Sequence, residues 1–272
     1  MFKNYFFKVL LSISAFALIG CGGGGGSSDI SDVPSNSQKL ILTSSNSKEV
    51  AANIANSFAI ASLNDYTPDY KLTKVVDAKK LKPLQKIASK FIDVNYKEIS
   101  NDICLSGTAN ATQDGNKIRV TFSRCKLKDS KGYIKSGEFI FTFESSDIEN
   151  SDIIKVEIKD YTADTKDSQG NYVGFKSFNL TATAIDYDIS KLEVNGWYKN
   201  KCLSGWVKVV SIEPLYIQES DEYIFTTYDG ILDIYGRYDK IRLEFFDDAV
   251  ILTDINGNQE EIQDYINNYY CD

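Results

Sequence analysis

Histidine is absent from this 272-residue chain, and its absence excludes several kinds of catalytic site. Histidine is the commonest general base near neutral pH, so Ser–His–Asp and Cys–His arrangements and the usual catalytic zinc sites are ruled out. The chain also contains no G-x-S-x-G and no G-x-x-x-x-G-K-[ST] motif, which leaves the hydrolase-elbow and P-loop functions without support. We therefore assign no catalytic residue, no cofactor site and no metal site.

Long apolar runs are also missing. The run at residues 9–20 follows Lys3 and Lys8 and is about a dozen residues long, the length of the apolar core of a signal peptide. A membrane-spanning helix needs about 20 apolar residues, and here a cysteine, glycines and serines end the run. We predict that residues 1–20 form a signal peptide that is cut before Cys21.

The cleavage region resembles the lipobox of bacterial lipoproteins, in which an aliphatic residue and small residues precede the cysteine that is acylated. The matching residues are Leu18, Ile19, Gly20 and Cys21. This resemblance implies lipid on Cys21 and a membrane anchor, and Gly22, where an inner-membrane retention signal commonly has Asp, favours the outer membrane, facing the periplasm or the cell surface. The alternative is an ordinary secretory signal with a chance cysteine.

Three further segments follow the signal peptide. Residues 21–46 are rich in Gly and Ser and predict a flexible tether. Residues 47–100 predict a helical segment, in which Ser47 caps a first helix and residues 77–92 form a second one. The apolar positions of the first helix recur at helical spacing: Val50, Ile54, Phe58 and Ala61.

Residues 101–272 change to a period of two, which is typical of antiparallel strands with one buried face. The apolar residues of these alternations include Ile118, Val120 and Phe122; Phe139, Phe141 and Phe143; Ile154, Val156 and Ile158; Leu192 and Val194; Ile241, Leu243 and Phe245. Turns are predicted at Asp114-Gly115, Asp229-Gly230 and Asn256-Gly257. The predicted fold is mainly β: an antiparallel meander of roughly ten strands, preceded by one or two α-helices and curled into a barrel, a half-barrel or a two-layer sheet.

Four cysteines remain when Cys21 is lipidated, an even number that suits an exported protein with disulfides. Four cysteines allow three pairings. Cys104 and Cys125 bracket two strands joined by the Asp114-Gly115 turn, so we predict that they pair with each other. Cys202 is then left to pair with Cys271.

A short sequence occurs twice, as Cys104-Leu105-Ser106-Gly107 and as Cys202-Leu203-Ser204-Gly205, each time in a predicted strand. It is either a relic of duplication or a coincidence. A cysteine followed by Ser-Gly, an alternating hairpin, a second cysteine and an aromatic strand resembles uncharacterised cell-envelope lipoproteins of Gram-negative bacteria. The resemblance spans residues 100–145 and 200–272, and such proteins have no assigned activity to transfer.

Two acidic segments are candidate ligand sites. Asp254, Asn256 and Asn258 have the spacing of a calcium loop, but Gln259 stands where an EF-hand has Gly, so a two-residue hairpin turn at Asn256-Gly257 is the preferred interpretation. The second segment contains Asp160, Asp164 and Asp167, and it predicts a solvated loop.

The mature chain would lose two lysines and change its net charge from −8 to −10, which disfavours nucleic acid as a partner. Trp197 and Phe246 are outward strand positions that could line a groove for sugar or peptide. The leading hypothesis is a noncatalytic envelope module that is held to the membrane through lipid on Cys21 and binds an envelope protein, glycan or lipid. The alternative is a carboxylate-dependent enzyme acting on envelope polysaccharide, which needs only two suitably spaced acids.

Overall fold

A computed structural model describes nine segments of the chain. They are residues 33–57, 97–98, 104–127, 132–144, 153–165, 172–185, 189–219, 225–247 and 249–269. The signal peptide, Cys21, the predicted second helix and Cys271 lie outside the described residues.

One antiparallel sheet dominates the described structure. Its strands are hydrogen-bonded in sequence order, each to the next. The strands are β1 Lys97–Glu98, β2 Cys104–Asp114, β3 Lys117–Leu127, β4 Gly132–Phe143, β5 Ile153–Thr165, β6 Tyr172–Ala184, β7 Ile189–Asn200, β8 Val207–Glu219, β9 Phe225–Tyr235, β10 Lys240–Phe245, β11 Val250–Thr253 and β12 Gln259–Glu261.

The predicted antiparallel meander is confirmed, and among the described strands β1 and β12 do not pair, so the sheet is open. The closed barrel among the predicted alternatives is therefore wrong. Apolar and polar residues alternate along the strands, which buries one side of each strand. In β10, for example, Ile241, Leu243 and Phe245 are buried while the residues between them are not. The buried face of the sheet forms one hydrophobic core.

Two helices accompany the sheet. The first, α1, covers Ser47–Ser57, and the second, α2, covers Gln263–Asn268. The first predicted helix is confirmed at Val50 and Ile54, both buried, whereas Phe58 and Ala61 lie outside the described residues. Every side chain from Val50 to Ala55 is buried, because the sheet face and α2 surround the helix.

The predicted role of Ser47 is wrong. Its hydroxyl donates to the backbone oxygen of Thr43 at 2.7 Å instead of accepting a hydrogen bond from the first helical turn. Thr43 performs the local capping: its Oγ1 accepts the backbone N–H of Asn46 at 3.3 Å, and the side-chain oxygen of Asn46 accepts the backbone N–H of Thr43 at 2.8 Å. Ser and Thr are both favoured at such sites, so the sequence alone does not separate the two candidates.

The boundary between tether and folded part lies earlier than predicted. Leu40 and Leu42 are buried, at 3% and 2% exposure. The backbone of residues 38–40 bridges the ends of β8 and β9: Trp206 N–H donates to Gln38, Leu40 N–H donates to Trp206, and Arg237 N–H donates to Leu40. We call residues 38–42 the N-terminal strap; the apolar Leu40 and Leu42 belong to the core and not to a solvated linker.

The segment 47–100 is not entirely helical, since β1 lies within it and pairs with β2. The C-terminal helix α2 was not predicted. It has only six residues, and Ile266 is the residue that packs its buried side into the core, so it carries too little periodicity for detection from sequence.

The predicted disulfide between Cys104 and Cys125 is confirmed, with a sequence separation of 21. The Asp114-Gly115 turn is confirmed too, as a two-residue connection between β2 and β3. Cys202 is disulfide-bonded. Its predicted partner, Cys271, is outside the described residues, so that pairing stays a prediction.

The repeated Cys-Leu-Ser-Gly sequence adopts two different structures. Residues 104–107 are in β2, where Leu105 is 59% exposed. Residues 202–205 are in the connection before β8, where Leu203 is 2% exposed, so the predicted second strand is wrong. Gly205 lies under the strap, and a Cβ there would stand 2.6 Å from Leu40 N.

The Asp229-Gly230 turn is also wrong, because both residues are inside β9. Gly230 has a φ of +125°, and the β8–β9 register shifts beside it. Glycine in a strand interior commonly marks a bulge, and in the sequence such a glycine has the same signature as a turn.

Candidate binding surface

Lysines and aromatic residues alternate across five neighbouring strands of the sheet. Successive backbone partners run from Lys176 on β6 to Trp197 on β7, Lys208 on β8, Tyr235 on β9 and Lys240 on β10. Residues directly opposite each other in an antiparallel sheet point to the same face. Neighbouring strands are about 4.8 Å apart, so this set, which we call the Lys–aromatic row, is roughly 19 Å long.

The row lies on the face of the sheet opposite the core. The neighbours of its members along each strand are buried, among them Val207, Val209, Ile234 and Ile241. Lys240 is exposed, and Trp197, Lys208 and Tyr235 are half-buried. Strand alternation therefore puts this row of cations and rings on the outer surface.

A bulge brings Lys176 into line with Trp197. The β6–β7 register shifts between Lys176 and Asn179, and Ser177 in the bulge has a φ of +41°. Gly196 makes room for this bulge, since a Cβ there would collide with the backbone and ring of Phe178. The sequence Gly196-Trp197 thus supplies the space and the aromatic side chain together.

Three of the lysines lie over aromatic rings. Lys39 Nζ is 4.9 Å from the ring centroid of Trp197, and Lys240 Nζ is 5.7 Å from that of Tyr235. Lys176 Nζ is 5.7 Å from the centroid of Trp206. Such cation–π contacts are individually modest at exposed sites, about 0.5–1 kcal/mol, but they order the long side chains.

The strap places Lys39 on this surface. Lys39 forms an isolated parallel bridge with Trp206, and its Nζ donates to Asn36 Oδ1 at 2.9 Å. A Cβ on Gly236 would stand 2.8 Å from Leu40 O, so glycine at this position lets the strap approach the end of β9. The strap, not the sheet, thus adds a sixth polar or aromatic side chain next to Trp197.

Asp233 is a buried carboxylate beside the row. Its side chain is 1% exposed and accepts from Arg242 Nε at 2.7 Å, from Lys240 Nζ at 2.5 Å and from Tyr235 Oη at 3.2 Å. Burial raises the pKa of Asp233, but the hydrogen bonds and charges of Arg242 and Lys240 outweigh it and hold the pKa below its usual value. The carboxylate fixes two cations at one end of the row.

The local charge differs in sign from that of the chain. The cations on and beside the row are Lys39, Lys176, Lys208, Lys240 and Arg242. The acids close to them are Asp233, Asp160, which is 3.7 Å from Lys176, Asp239 in the β9–β10 turn, and Glu244, whose charge acts on Arg242. Cations outnumber acids here in a chain of net charge −8.

The structure does not bring the two predicted groove residues together. Trp197 is in the row, level with Tyr235 and Lys240 through successive backbone pairs. Phe246 is 50% exposed but follows the other end of β10, in the turn before β11. Phe246 lies six residues along β10 from Lys240, a distance of roughly 20 Å. Trp197 and Phe246 therefore do not line one groove.

The preferred turn interpretation of residues 254–258 is confirmed, with five residues in the loop between β11 and β12 instead of two. Asp254 Oδ1 accepts the backbone N–H groups of Asn256 and Asn258, at 2.8 and 2.9 Å. These bonds, led by those from Asn258, lower the pKa of Asp254. The acid is thus used to hold the turn.

The predicted loop at Asp160 and Asp164 is wrong, because both residues are within β5, while Asp167 is outside the described residues. In the part of the chain that the structure describes, no three His, Cys, Asp or Glu side chains form a group that could hold a metal ion. No described helix is both long enough and apolar enough to cross a membrane.

Sequence reasoning found Trp197 but missed the row. Its members are separated by 21, 11, 27 and 5 positions in the chain, and only the strand register aligns them. Pairing the predicted strands in order could have suggested it, but the bulges in β6 and β8 shift the register and would have hidden the match.

Comparisons were made with protein-family models, with curated proteins and with solved structures, and none of the three gave a match to this chain.

Proposed function

We propose that this protein is a lipid-anchored, noncatalytic binding module of the cell envelope, and that its binding surface is the Lys–aromatic row. The observation that carries the proposal is the alternation of cations and rings across β6–β10. Rings offer flat contact area and lysines offer charge, so the row suits an anionic partner.

The anchor in this proposal is lipid on Cys21. The lipobox-like residues 18–21 support it, and so does the disulfide between Cys104 and Cys125, which suits an oxidising compartment outside the cytoplasm. Gly22, at the position where an inner-membrane retention signal commonly has Asp, supports location at the outer membrane, with the module facing the periplasm or the surface.

A carboxylate-dependent enzyme is the weaker proposal. A general acid for glycoside hydrolysis needs a raised pKa. The pKa of Asp233, the buried acid nearest the row, is held below its usual value, and Lys240 and Arg242 occupy both of its oxygens. This carboxylate is suited to positioning cations.

The proposal is tested by recovering the full-length protein from membranes in mild detergent and identifying co-purifying material by mass spectrometry. Three forms are compared: the wild type, Lys208→Glu in the middle of the row, and Lys117→Glu. Lys117 is an exposed lysine on β3 and provides the matched control. We expect anionic envelope material with the wild type and the control but less with Lys208→Glu. Equal recovery from all three would show that the row is not the binding surface.

A further inference from the structure

The row lies beside the point where the chain runs toward Cys21. Lys39, over the Trp197 ring, is six residues from Val33, the first described residue, which is 47% exposed. Residues 22–32 separate Val33 from Cys21, and their Gly- and Ser-rich composition predicts a flexible connection. A flexible chain of about 12 residues spans roughly 20 Å. If Cys21 is the lipid anchor, as the proposed function holds, the row is within about that reach of the membrane.

The composition of the row matches a membrane interface. Trp and Tyr are enriched at the level of lipid head groups, because each has an apolar body and a polar tip. Lysines near an anionic leaflet each favour binding by roughly 5-fold, which corresponds to about 1 kcal/mol. Trp197 and Tyr235 alternate with three lysines on one surface, of which Lys176 is 13% exposed and Lys240 is paired with Asp233.

Charge also decides which side of the module faces the membrane. The chain as a whole is acidic, and the β12 edge of the sheet, two strands beyond Lys240, carries the exposed acids Glu260 and Glu261, followed by Asp264 in α2. An anionic surface repels that edge and attracts the row. The tether and the charge distribution therefore favour the same orientation.

We propose that the Lys–aromatic row docks on the anionic phospholipid surface of the membrane that holds the acyl groups of Cys21. This inference rests on the proposed function and names the partner of its binding surface. The strap holds Lys39 on the docking face. The tether therefore emerges from the side of the module that faces the membrane.

Of the two tryptophans of the chain, Trp197 is in the row, and Trp206 is 5% exposed under Lys176, so quenching by a probe in the head groups reports on Trp197. The full-length lipidated protein is reconstituted into phosphatidylcholine vesicles with and without phosphatidylglycerol, each carrying a lipid with a nitroxide quencher on its head group. Flotation of the protein with the neutral vesicles shows whether the lipid anchor holds it to a membrane when the row has no anionic lipid to bind. The row variant is Lys39→Gln/Lys208→Gln. The control is Lys117→Gln/Lys126→Gln, two exposed lysines on β3, and circular dichroism checks that both variants fold.

We expect tryptophan quenching in vesicles with phosphatidylglycerol and little in neutral ones, with loss of the difference at 0.5 M salt. The row variant should dock roughly 25-fold more weakly, and the control should dock like the wild type. Equal quenching in both vesicles, or no effect of the row variant, would overturn the docking inference while flotation upholds the anchor. Failure to float with neutral vesicles would overturn the proposed anchor. A soluble acidic polysaccharide is also added at constant salt. If it relieves the quenching by competing for the row, the row binds a glycan and the docking inference is overturned.

Discussion

Asp233 is the residue on which the geometry of the row most depends. It is an acid at an outward strand position, yet its side chain is 1% exposed because Lys240, Arg242 and Tyr235 cover it. Hydrogen bonds to charged groups each contribute about 1.5–3 kcal/mol. Lys240 and Arg242 are themselves 47% and 32% exposed, so water weakens the net effect of the pairs.

Replacing the carboxylate tests this arrangement. We expect Asp233→Asn to lower the free energy of unfolding by about 2 kcal/mol at pH 7, because two cations lose their counterion. The pKa of Asp233 is lowered in the folded state, so its contribution is present above the ordinary value of 3.8 and is lost as the pH falls through the folded-state pKa. The gap between wild type and variant in urea unfolding should therefore narrow below about pH 4.

Asp239→Asn is the control, since Asp239 is an exposed acid in the adjoining turn. We expect a change within about 0.5 kcal/mol. A variant at Asp233 that is as stable as the wild type at pH 7, or a gap that stays constant into acid, would contradict the proposed role of the carboxylate.

Single residues also show which kinds of burial can be predicted from the sequence and which cannot. Alternation identified the buried residues Ile241, Leu243 and Phe245 because burial on one face leaves a period of two in the sequence. Asp233 obeys the same alternation as an outward residue, but its burial comes from partners on a neighbouring strand. No local pattern records that contact.

At the scale of elements, the N-terminal strap joins the row to the core. Leu40 and Leu42 bury their side chains while the backbone of residues 38–40 bridges β8 and β9. Gly205 and Gly236 permit this close approach. The sequence shows two leucines in a polar segment, but the complementary glycines are about 165 and 195 positions away, so a tether was the natural prediction.

Filling the space under the strap should displace it. A Cβ in Gly236→Ala would stand 2.8 Å from both Leu40 O and Leu42 Cγ. We expect a loss of about 1–3 kcal/mol in unfolding free energy. Tryptophan fluorescence should change too, because Lys39 loses its position over Trp197.

Gly257→Ala separates this clash from backbone strain. Gly257 has a φ of +82° but nothing within 4 Å of a Cβ, so only the cost of the left-handed conformation applies, about 1–2 kcal/mol. Its fluorescence should match the wild type. If Gly236→Ala left both stability and fluorescence unchanged, the strap would not be packed as described.

The β2–β3 hairpin is the element that the sequence predicted best. Its turn and its disulfide both follow from local signals: a Gly-containing connection and two cysteines at the strand ends. Long-range features, such as the placement of β1 and α2, lack signals of this kind.

Removing this disulfide measures its contribution. We expect Cys104→Ala/Cys125→Ala to reduce the unfolding free energy by about 3 kcal/mol, since a loop of this length gains conformational freedom when it is opened. Urea denaturation of both proteins under oxidising conditions gives the difference, and the second disulfide, at Cys202, stays intact. An unchanged midpoint and slope would mean that the bridge does not constrain the unfolded chain.

At the scale of the whole molecule, one face of the meander builds the core with α1, and the other carries the Lys–aromatic row. The sequence predicted the antiparallel meander because alternation and turns recur along residues 101–272. It could not choose between an open and a closed sheet, since closure depends on whether the end strands meet. The row could not be predicted for a similar reason, because its residues come together only when five strands pair in the correct register.

Both the envelope location and the docking of the row depend on lipid at Cys21. The most direct measurement is the mass of the N-terminal peptide of the protein recovered from membranes. We expect a chain that begins at Cys21 and carries fatty acyl groups on that residue. A mature chain that begins at another residue, with no acyl group, would contradict the account.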